Sequence, residues 1–271
     1  MADQFSLLNK TIIVTGSTGV LGASFIHAIA QAGGRLVLIG RNMETAEARA
    51  HGVCIAGGKA IAIKADVLKE NELANACTQV LQKFGSIDGL VNAAGGNLPG
   101  AVIDPSVNLF DLNFSALQQV YELNLMGTVL PSMIFGRQMT QAKKGSIVNI
   151  SSVSASQGLT RVLGYSLAKA GVEAFTRWMA IELAHRYGDG IRMNALVPGF
   201  FLTEQNRQLL ITEAGAFTQR AQKIIQQTPF NRMGNPEELE GGLVWLLSDA
   251  SKFVTGATIT IDGGFSAYSG V

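Results

Sequence analysis

The sequence contains few residues of the kinds that mark secreted, metal-binding or nucleic-acid-binding proteins. Only 2 of its 271 residues are cysteine and only 15% are charged, with a formal net charge of +1. Cys54 and Cys77 fall in separate predicted helices without metal-ligand spacing, so we expect two buried free thiols, no metal site and a reducing, cytoplasmic setting. The near-neutral charge gives no electrostatic reason to expect a nucleic acid or an anionic membrane as a partner.

Long apolar runs and targeting signals are also missing. No apolar run reaches the roughly 18 residues that a membrane span requires. The first residues lack the basic-then-apolar order of a signal peptide, so we expect a protein with no membrane attachment. The chain is instead 47% hydrophobic with 31 glycines, which is typical of a well-buried globular protein with many tight turns.

Short β-branched runs alternate with helix-patterned segments along the whole chain. The predicted strands are 11–15, 36–39, 60–64, 87–91, 146–150, 192–197 and 258–261. The predicted helices are about 20–33, 43–56, 69–84, 115–142, 163–187 and 236–248. This alternation predicts parallel strands joined by right-handed crossovers. The expected fold is therefore α/β, a Rossmann-type doubly wound parallel sheet of about seven strands with helices on both faces, in one domain spanning 1–271.

Two segments interrupt the alternation of strands and helices. Residues 96–114 have the mixed polarity of a loop, and residues 199–235 form a long excursion before the last helix. Both follow the carboxyl ends of strands, where open α/β sheets bind ligands, so we expect the active site beneath them. A helical pattern at 217–227 predicts a lid that closes over bound substrate and then loses backbone mobility.

A glycine-rich turn follows the first predicted strand, with the sequence Thr15-Gly16-Ser17-Thr18-Gly19-Val20-Leu21-Gly22. Such a turn lets the backbone approach a pyrophosphate at the start of a helix, although an ordinary tight turn would look similar. No Lys-Ser/Thr pair follows the glycines, which excludes a nucleoside-triphosphate loop. After the second strand, Gly40-Arg41-Asn42 replaces the usual acidic residue. Arg41 therefore favours NADP(H) over NAD(H), unless it lies against the adenine or points to solvent.

Tyr165 and Lys169 lie four residues apart in a segment that favours a helix. Their phenol and ammonium groups should therefore share one helix face. A phenol ordinarily loses its proton near pH ~10. A neighbouring positive charge favours the phenolate, so we predict a lowered pKa for Tyr165 and a role as proton donor or acceptor. Such a pair also occurs by chance on many surface helices.

Eight sequence pieces together resemble the classical short-chain dehydrogenase/reductase family. They are Thr15-Gly16 through Gly22, Asp66-Val67, Asn92-Ala93-Ala94-Gly95, Asn124, Ser152, Tyr165 with Lys169, Pro198-Gly199 with Thr203, and Asp262-Gly263-Gly264. Ser152 precedes Tyr165 by 13 residues, the usual interval in this family. The family usually has glycine at the position of Val20, whereas here glycine stands one place earlier, at Gly19. We therefore expect the backbone beside the pyrophosphate to be shaped slightly differently.

The resemblance implies an NAD(P)-dependent oxidoreductase acting on CH–OH groups, with Asn124, Ser152, Tyr165 and Lys169 as catalytic residues. Tyr165 would be the general acid in carbonyl reduction and the base in alcohol oxidation, and Ser152 would hydrogen-bond the substrate oxygen. Lys169 would bind the nicotinamide ribose, and Asn124 would anchor a water between Lys169 and solvent. The implied cofactor-binding residues are Gly16, Ser17, Thr18, Val20, Leu21, Gly22, Arg41, Asn42, Asp66, Val67, Asn92, Ala93, Ala94, Gly95, Tyr165, Lys169, Pro198, Gly199, Phe200 and Thr203.

Three stretches resemble a bacterial subgroup of the family, the D-mannonate oxidoreductases or fructuronate reductases. The stretches are 92–97, 198–207 and 262–271. The resemblance implies a sugar-acid substrate, with D-mannonate and D-fructuronate as the alcohol and ketone. An arginine fork suits a carboxylate, although Arg161 and Arg207 could equally be solvated surface residues. The candidate substrate-binding residues are Asn97, Ser152, Arg161, Gln205, Asn206 and Arg207.

Several alternatives remain open at this point. A gluconate 5-dehydrogenase, or another sugar, polyol or 3-oxoacyl reductase of the same family, would share these motifs. A cofactor-binding protein without turnover would be expected to lack one of the four catalytic residues, and all four are present. A serine hydrolase is disfavoured because the sequence has no Gly-x-Ser-x-Gly elbow and none of its three histidines lies in a plausible loop. The family also implies a homotetramer with interfaces from 115–142, 163–187 and the C-terminal tail.

Overall fold

Seven parallel strands form one sheet at the centre of the structure. The structure is a computed structural model that describes residues 4–104, 106 and 108–271, without the side chains at 204, 205 and 208. The strands are β1 Thr11–Thr15, β2 Arg35–Gly40, β3 Lys59–Lys64, β4 Gly89–Asn92, β5 Gly145–Ile150, β6 Ile191–Pro198 and β7 Thr258–Ile261. They lie in the order β3-β2-β1-β4-β5-β6-β7. The predicted doubly wound sheet is confirmed, with each predicted strand displaced by no more than about two residues at either end.

Helices connect the strands and cover the sheet. They are α1 Val20–Gln31, α2 Met43–Ile55, α3 Glu70–Phe84, α4 Phe114–Tyr121, α5 Gly127–Ala142, α6 Leu163–Tyr187, α7 Glu204–Leu210, α8 Gln219–Gln227 and α9 Glu240–Leu247. The continuous helix predicted at 115–142 is wrong in one respect, because a π-helical turn at Glu122–Met126 separates α4 from α5. The segment predicted at 236–248 begins as a 3₁₀ turn, Pro236–Leu239, with Pro236 at its first position, where proline is well tolerated.

The sheet has a hydrophobic layer on each face, as the alternation of side chains along β1 shows. Ile12 and Val14 pack into one cluster with residues of α1 and α9. Ile13, between them, packs into a second cluster with residues of α3, α5 and α6. Successive side chains of a strand point to opposite faces. Both faces are therefore buried, and the ends of the strands are left for ligands.

The carboxyl ends of β1 and β4 are joined by the buried side chain of Thr15. Its Oγ1 accepts hydrogen bonds from Ala93 N at 3.1 Å and Ala94 N at 3.2 Å. Gly16 follows with φ +63°, and a Cβ there would lie 2.5 Å from Ala93 O, so only glycine fits. The sheet order reverses between β1 and β4, which is where open α/β sheets form a ligand crevice.

The long excursion contains two helices with a small core of their own. Leu210 of α7 packs with Ala221 and Ile224 of α8, and Phe200 and Met233 cover them. The helix predicted at 217–227 is thus present as α8, whereas the pattern gave no sign of α7. The excursion is an ordered cover over the carboxyl edge rather than an open loop.

The two cysteines have different surroundings. Cys77 is buried in the second hydrophobic cluster. Cys54 is exposed, because α2 turns Ala46, Ala50 and Val53 inward. The prediction of two buried thiols is therefore wrong for Cys54. None of the helices within the described ranges is both long and apolar enough to cross a bilayer.

Candidate active site

Ser152, Tyr165 and Lys169 meet where β5 ends and α6 begins. Ser152 is the extended residue before the 3₁₀ turn Val153–Ala155, and its hydroxyl accepts from Ser154 N at 3.2 Å and hydrogen-bonds the Tyr165 phenol. Lys169 lies one turn after Tyr165, with Nζ 5.5 Å from the centroid of the Tyr165 ring. The structure therefore brings together three of the predicted catalytic residues.

Lys169 is held in place by the backbone of β5. Its side chain is only 4% exposed, and Nζ donates to Ile150 O at 2.7 Å. Burial lowers the pKa of Lys169 to about 8, because a desolvated ammonium is disfavoured. One of its three donors is fixed on the carbonyl, which leaves the others for a ribose hydroxyl or the tyrosine.

The pKa of Tyr165 shifts in the direction opposite to the one predicted. Burial of the phenol raises its pKa, and the hydrogen bond from Ser152 opposes this only in part. The predicted lowering was wrong, because desolvation outweighs the effect of the neighbouring groups. At neutral pH the phenol therefore keeps its proton, which suits a general acid in carbonyl reduction.

Asn124 lies in the π-helical turn and is completely buried. Its amide accepts from Gly96 N at 3.0 Å and donates to Gly96 O at 2.7 Å and Val120 O at 2.8 Å. A Cβ added at Gly95 would lie 2.5 Å from Asn124 Oδ1 and 3.5 Å from Lys169 Nζ. Asn124 thus holds the start of the 96–114 loop beside Lys169. Its role in anchoring a water remains a prediction.

A long cleft of about 460 Å³ runs from the glycine-rich turn to Tyr165 and Lys169. Among the described residues no side chain caps the N-terminus of α1 at Gly19, so the first N–H groups of the helix can bind an anion. Arg49 of α2 donates to Ser17 O and, at 2.8 Å, to Gly19 O, which fixes the turn. A dinucleotide pyrophosphate fits these donors, and the glycine displaced from position 20 forms the helix N-cap.

Most of the predicted cofactor-binding residues line this cleft. They are Gly16, Thr18, Val20, Leu21, Gly22, Arg41, Asp66, Val67, Ala93, Ala94, Gly95, Tyr165, Lys169 and Thr203. Arg49 also lines it but was not predicted, because nothing in the helical pattern of α2 distinguishes it. Its pKa is lowered by burial.

The remaining predicted cofactor residues have other places in the structure. Ser17 Oγ donates to Ile39 O at 3.0 Å, and Asn42 caps α2 by accepting from Thr45 N at 3.1 Å. Asn92 donates at 2.8 Å to both Ser132 Oγ of α5 and Asn149 Oδ1 of β5. These three therefore support the walls of the cleft. Pro198, Gly199 and Phe200 line a neighbouring cavity instead.

That second cavity, of about 180 Å³, opens from the same reaction centre and lies beneath the excursion. The cleft and the cavity share four lining residues, which are Leu21, Ile150, Tyr165 and Thr203. The Tyr165 phenol therefore stands between a place for a dinucleotide and a place for a substrate. Much of the cavity wall is apolar, with Phe200, Phe201, Leu209 and Leu210 among its residues.

The predicted substrate-binding residues divide into three groups. Asn97, Ser152 and Asn206 line the cavity, although the Asn206 amide is already bonded to Phe201 O and Thr203 N. Arg161 and Arg207 are not among the lining residues. The Gln205 side chain lies outside the described residues.

Two buried polar atoms without partners and one arginine are among the polar groups of the cavity. Asn97 Nδ2 and Ser154 Oγ are buried without a hydrogen-bond partner in the described protein, and both residues line the cavity. Arg220 of α8 lines it as well. The sequence analysis missed Arg220 and Ser154, because no motif marks them and only the fold brings α8 to the cavity.

Comparison with known proteins identifies the family of the chain. Residues 18–266 match the family model described as enoyl-(acyl carrier protein) reductase, within the short-chain dehydrogenases/reductases. The chain belongs to the short-chain dehydrogenase/reductase family. It is accordingly an NAD(P)-dependent oxidoreductase of the kind that acts on CH–OH groups.

Individual members of the family are similar over almost the whole chain. An uncharacterised oxidoreductase of Bacillus subtilis (strain 168), UxuB, is 42% identical, with 98% of each chain covered. The crystal structure of a proposed D-mannonate oxidoreductase from Haemophilus influenza with bound NAD is 40% identical, with a TM-score of 0.90 and 98% of each chain covered. A gluconate 5-dehydrogenase from Burkholderia cenocepacia in complex with NADP and tartrate is 30% identical, with a TM-score of 0.88 and 98% of each chain covered.

Proposed function

We propose that this short-chain dehydrogenase/reductase interconverts a sugar acid and its ketone, with D-mannonate and D-fructuronate as the substrate pair. The observation that carries the proposal is the position of Tyr165 between the dinucleotide cleft and a cavity lined by Arg220. The cavity also offers Asn97 Nδ2 and Ser154 Oγ, which are buried without a hydrogen-bond partner in the described protein. An arginine and several hydrogen-bonding groups suit an anionic, hydroxyl-rich substrate.

The chemistry divides between the cofactor and the protein. The nicotinamide would supply or accept the hydride. Tyr165 would give its phenolic proton to the oxygen of the carbonyl being reduced, while the Ser152 hydroxyl would hydrogen-bond that same oxygen. Lys169, with a positive charge below its pKa of about 8, would stabilise the phenolate that results. In alcohol oxidation, Tyr165 would take the proton back.

We propose NADP(H) as the preferred cofactor. Arg41 lines the cleft just after β2, where Gly40 stands in place of an acidic residue. Arg49 lines the same cleft, but its guanidinium donates to Ser17 O and Gly19 O, so the preference is assigned to Arg41 alone. A 2′-phosphate would pair with arginine, whereas a carboxylate at this position would favour the free ribose of NAD. The related solved structures hold NAD in one case and NADP in the other.

A second candidate is the reduction of the 3-oxo group of an acyl thioester. The apolar wall of Phe200, Phe201, Leu209 and Leu210 favours it, as does the description of the matching family model, an enoyl-(acyl carrier protein) reductase. Tartrate in the Burkholderia cenocepacia enzyme favours the sugar acid, because tartrate is itself a hydroxy acid. The two candidates differ in whether the substrate brings a carboxylate or an acyl chain.

The test is a panel of sugar acids, neutral polyols and 3-oxoacyl thioesters, each assayed with NAD(H) and NADP(H). We expect the highest kcat/KM for D-mannonate oxidation and D-fructuronate reduction. The Tyr165→Phe variant should keep its fold by circular dichroism and lose about 10²- to 10⁴-fold in kcat. Turnover of thioesters alone would reject the sugar-acid assignment. Full activity of Tyr165→Phe would reject the mechanism.

We also propose that the protein is one catalytic domain that assembles as a homotetramer in the cytoplasm. Apolar side chains exposed on α4, α5 and α6 support the assembly, among them Phe114, Met133 and Trp178. The cysteines Cys54 and Cys77 are both free, which suits a reducing compartment.

A further inference from the structure

Arg220 extends from the excursion into the body of the protein. It lies in the first turn of α8, is half-buried, and lines the cavity that contains Ser152 and Tyr165. Its guanidinium donates to Thr160 Oγ1 at 3.0 Å and to Thr160 O at 3.1 Å. A guanidinium has five N–H donors, so the bonds to Thr160 fix its plane and leave further donors for a ligand.

The positive charge of Arg220 has no counter-ion in the described part of the protein. No described carboxylate lies within 4.0 Å of its nitrogens, whereas Arg186 and Arg232 pair with Glu182 and Glu238. Burial lowers the pKa of Arg220, and the like charge of the nearby Arg161 lowers it further. A bound anion would offset both costs.

We propose that Arg220 binds the carboxylate of the substrate and is the residue by which this cavity selects an acid over a neutral polyol. The inference rests on the proposed function, since it names the group that would recognise the sugar acid. Of the arginines predicted to do so, Arg161 and Arg207 are absent from the cavity lining, whereas Arg220 is present. Asn97 Nδ2 and Ser154 Oγ are then available for substrate hydroxyls.

The experiment compares Arg220→Gln with Lys223→Gln. Both variants remove one positive charge from α8, but Lys223 is exposed and does not line the cavity. For each protein, kcat/KM is measured with D-mannonate and with D-mannitol, its neutral counterpart, at a fixed cofactor concentration. We expect Arg220→Gln to lower kcat/KM for the acid by about 10- to 100-fold, the usual effect of losing a charged hydrogen bond. The kcat/KM of Arg220→Gln for the polyol and its KM for the cofactor should stay unchanged. Lys223→Gln should leave kcat/KM unchanged for both substrates.

A structural role for Arg220 gives a different result. The Thr160→Val variant removes one acceptor of Arg220 and keeps the charge. If Arg220 serves only to hold α8 in place, Arg220→Gln and Thr160→Val will each lower kcat/KM for the acid and for the polyol by the same factor. That result would overturn the inference. The inference is supported if Arg220→Gln lowers kcat/KM for the acid alone, while Thr160→Val keeps the ratio of kcat/KM for the acid to kcat/KM for the polyol.

Binding of tartrate separates this inference from the proposed function. Calorimetry with the protein–cofactor complex measures the tartrate Kd of the unchanged protein, Arg220→Gln and Lys223→Gln. A protein that turns over no sugar acid rejects the proposed function, and tartrate binding then decides the role of Arg220. A Kd about tenfold or more weaker in Arg220→Gln alone supports the inference. An equal Kd in all three proteins, or no tartrate binding by the unchanged protein, overturns it.

Discussion

Burial acts on the charges of Tyr165 and Lys169 in opposite directions. It raises the pKa of the tyrosine and lowers that of the lysine to about 8, since in each case the neutral form is favoured. Around pH 7 the phenol keeps its proton and the ammonium keeps its charge. The pair is thus ready to donate a proton to a carbonyl oxygen and to stabilise the phenolate that forms, so neutral pH favours reduction.

This arrangement predicts an alkaline limit on carbonyl reduction. As pH rises through the Lys169 pKa of about 8, the lysine loses its charge and no longer stabilises the phenolate. We expect log(kcat/KM) for reduction to be level below that pH and to fall above it with a slope approaching −1. In Lys169→Arg, which stays charged, the fall near pH 8 should vanish even though the overall rate is lower. Steady-state rates from pH 6 to 10 provide the measurement. If log(kcat/KM) falls in the same way above pH 8 in both proteins, the fall is not due to Lys169.

Arg41 and Arg49 should have separable effects on the choice of cofactor. The Arg41 side chain is exposed at the adenosine end of the cleft, whereas Arg49 binds the carbonyls of the glycine-rich turn. We expect Arg41→Ala to lower kcat/KM for NADP by about tenfold with little change for NAD. Arg49→Gln should weaken the binding of both NAD and NADP, because it removes the hydrogen bonds that hold the glycine-rich turn. Initial rates with each cofactor test this, and an equal loss of NAD and NADP in Arg41→Ala would refute a phosphate contact.

Some site residues could be predicted from the sequence and others could not, and the difference is how far along the chain their interaction partners lie. Tyr165 and Lys169 could be predicted because their spacing within one helix is local. Arg220 reaches Thr160 across 60 residues of sequence, and Arg49 reaches Ser17 across 32. Such pairings are set by tertiary packing and carry no periodic signal. The pKa direction of Tyr165 was missed for the same reason, because burial cannot be read from neighbours along the chain.

At the scale of elements, the interruption between α4 and α5 decides where the Asn124 side chain lies. The π-helical turn at Glu122–Met126 directs the Asn124 amide to Gly96 and Val120 rather than to solvent. Such turns are frequent at functional sites. Apolar periodicity predicts a helix through this region but cannot show one extra residue in a single turn, so the predicted helix was unbroken.

Removal of the Asn124 amide should therefore loosen the start of the 96–114 loop. The Asn124→Ala variant leaves Gly96 N, Gly96 O and Val120 O without that partner, and we expect a loss of about 3 kcal/mol in the free energy of unfolding. kcat should fall as the backbone at Gly95, which lies beside Lys169, shifts. Urea denaturation and steady-state kinetics provide the measurements. Gln118→Ala, on the exposed face of α4, is the control and should change stability by no more than about 0.5 kcal/mol.

In the excursion at 199–235, the spacing of apolar residues predicts one of the two helices and misses the other. The amphipathic spacing of Ala221 and Ile224 marks α8, because these residues pack on Leu210. The seven residues of α7 are too few for a clear period. Closure of α8 over substrate remains a prediction, and Arg220 would be the contact through which a bound acid favours it.

At the scale of the whole molecule, the sheet order follows from the alternation of strands and helices, but the assembly does not. Right-handed crossovers between parallel strands limit the topology to few arrangements, and the observed order is one of them. How molecules associate depends instead on which side chains the fold leaves outside. The outer face of α6 exposes Leu163, Leu167, Ala170, Ala174, Trp178 and Ile181, spaced three or four residues apart.

This stripe on α6 predicts where the proposed tetramer is held together. Trp178 is 60% exposed and Ile181 is 56% exposed, and a row of apolar side chains on one helix face usually marks an interface. Trp178→Glu would place a charge within that interface, and we expect dimers or monomers in place of tetramers, because an unpaired charge is costly to bury. Light scattering after gel filtration measures the mass. Ile55→Glu, at the exposed end of α2 and 74% exposed in the structure, should leave the mass unchanged. A tetramer that survives Trp178→Glu, or a monomeric unchanged protein, would show that this face is not the interface.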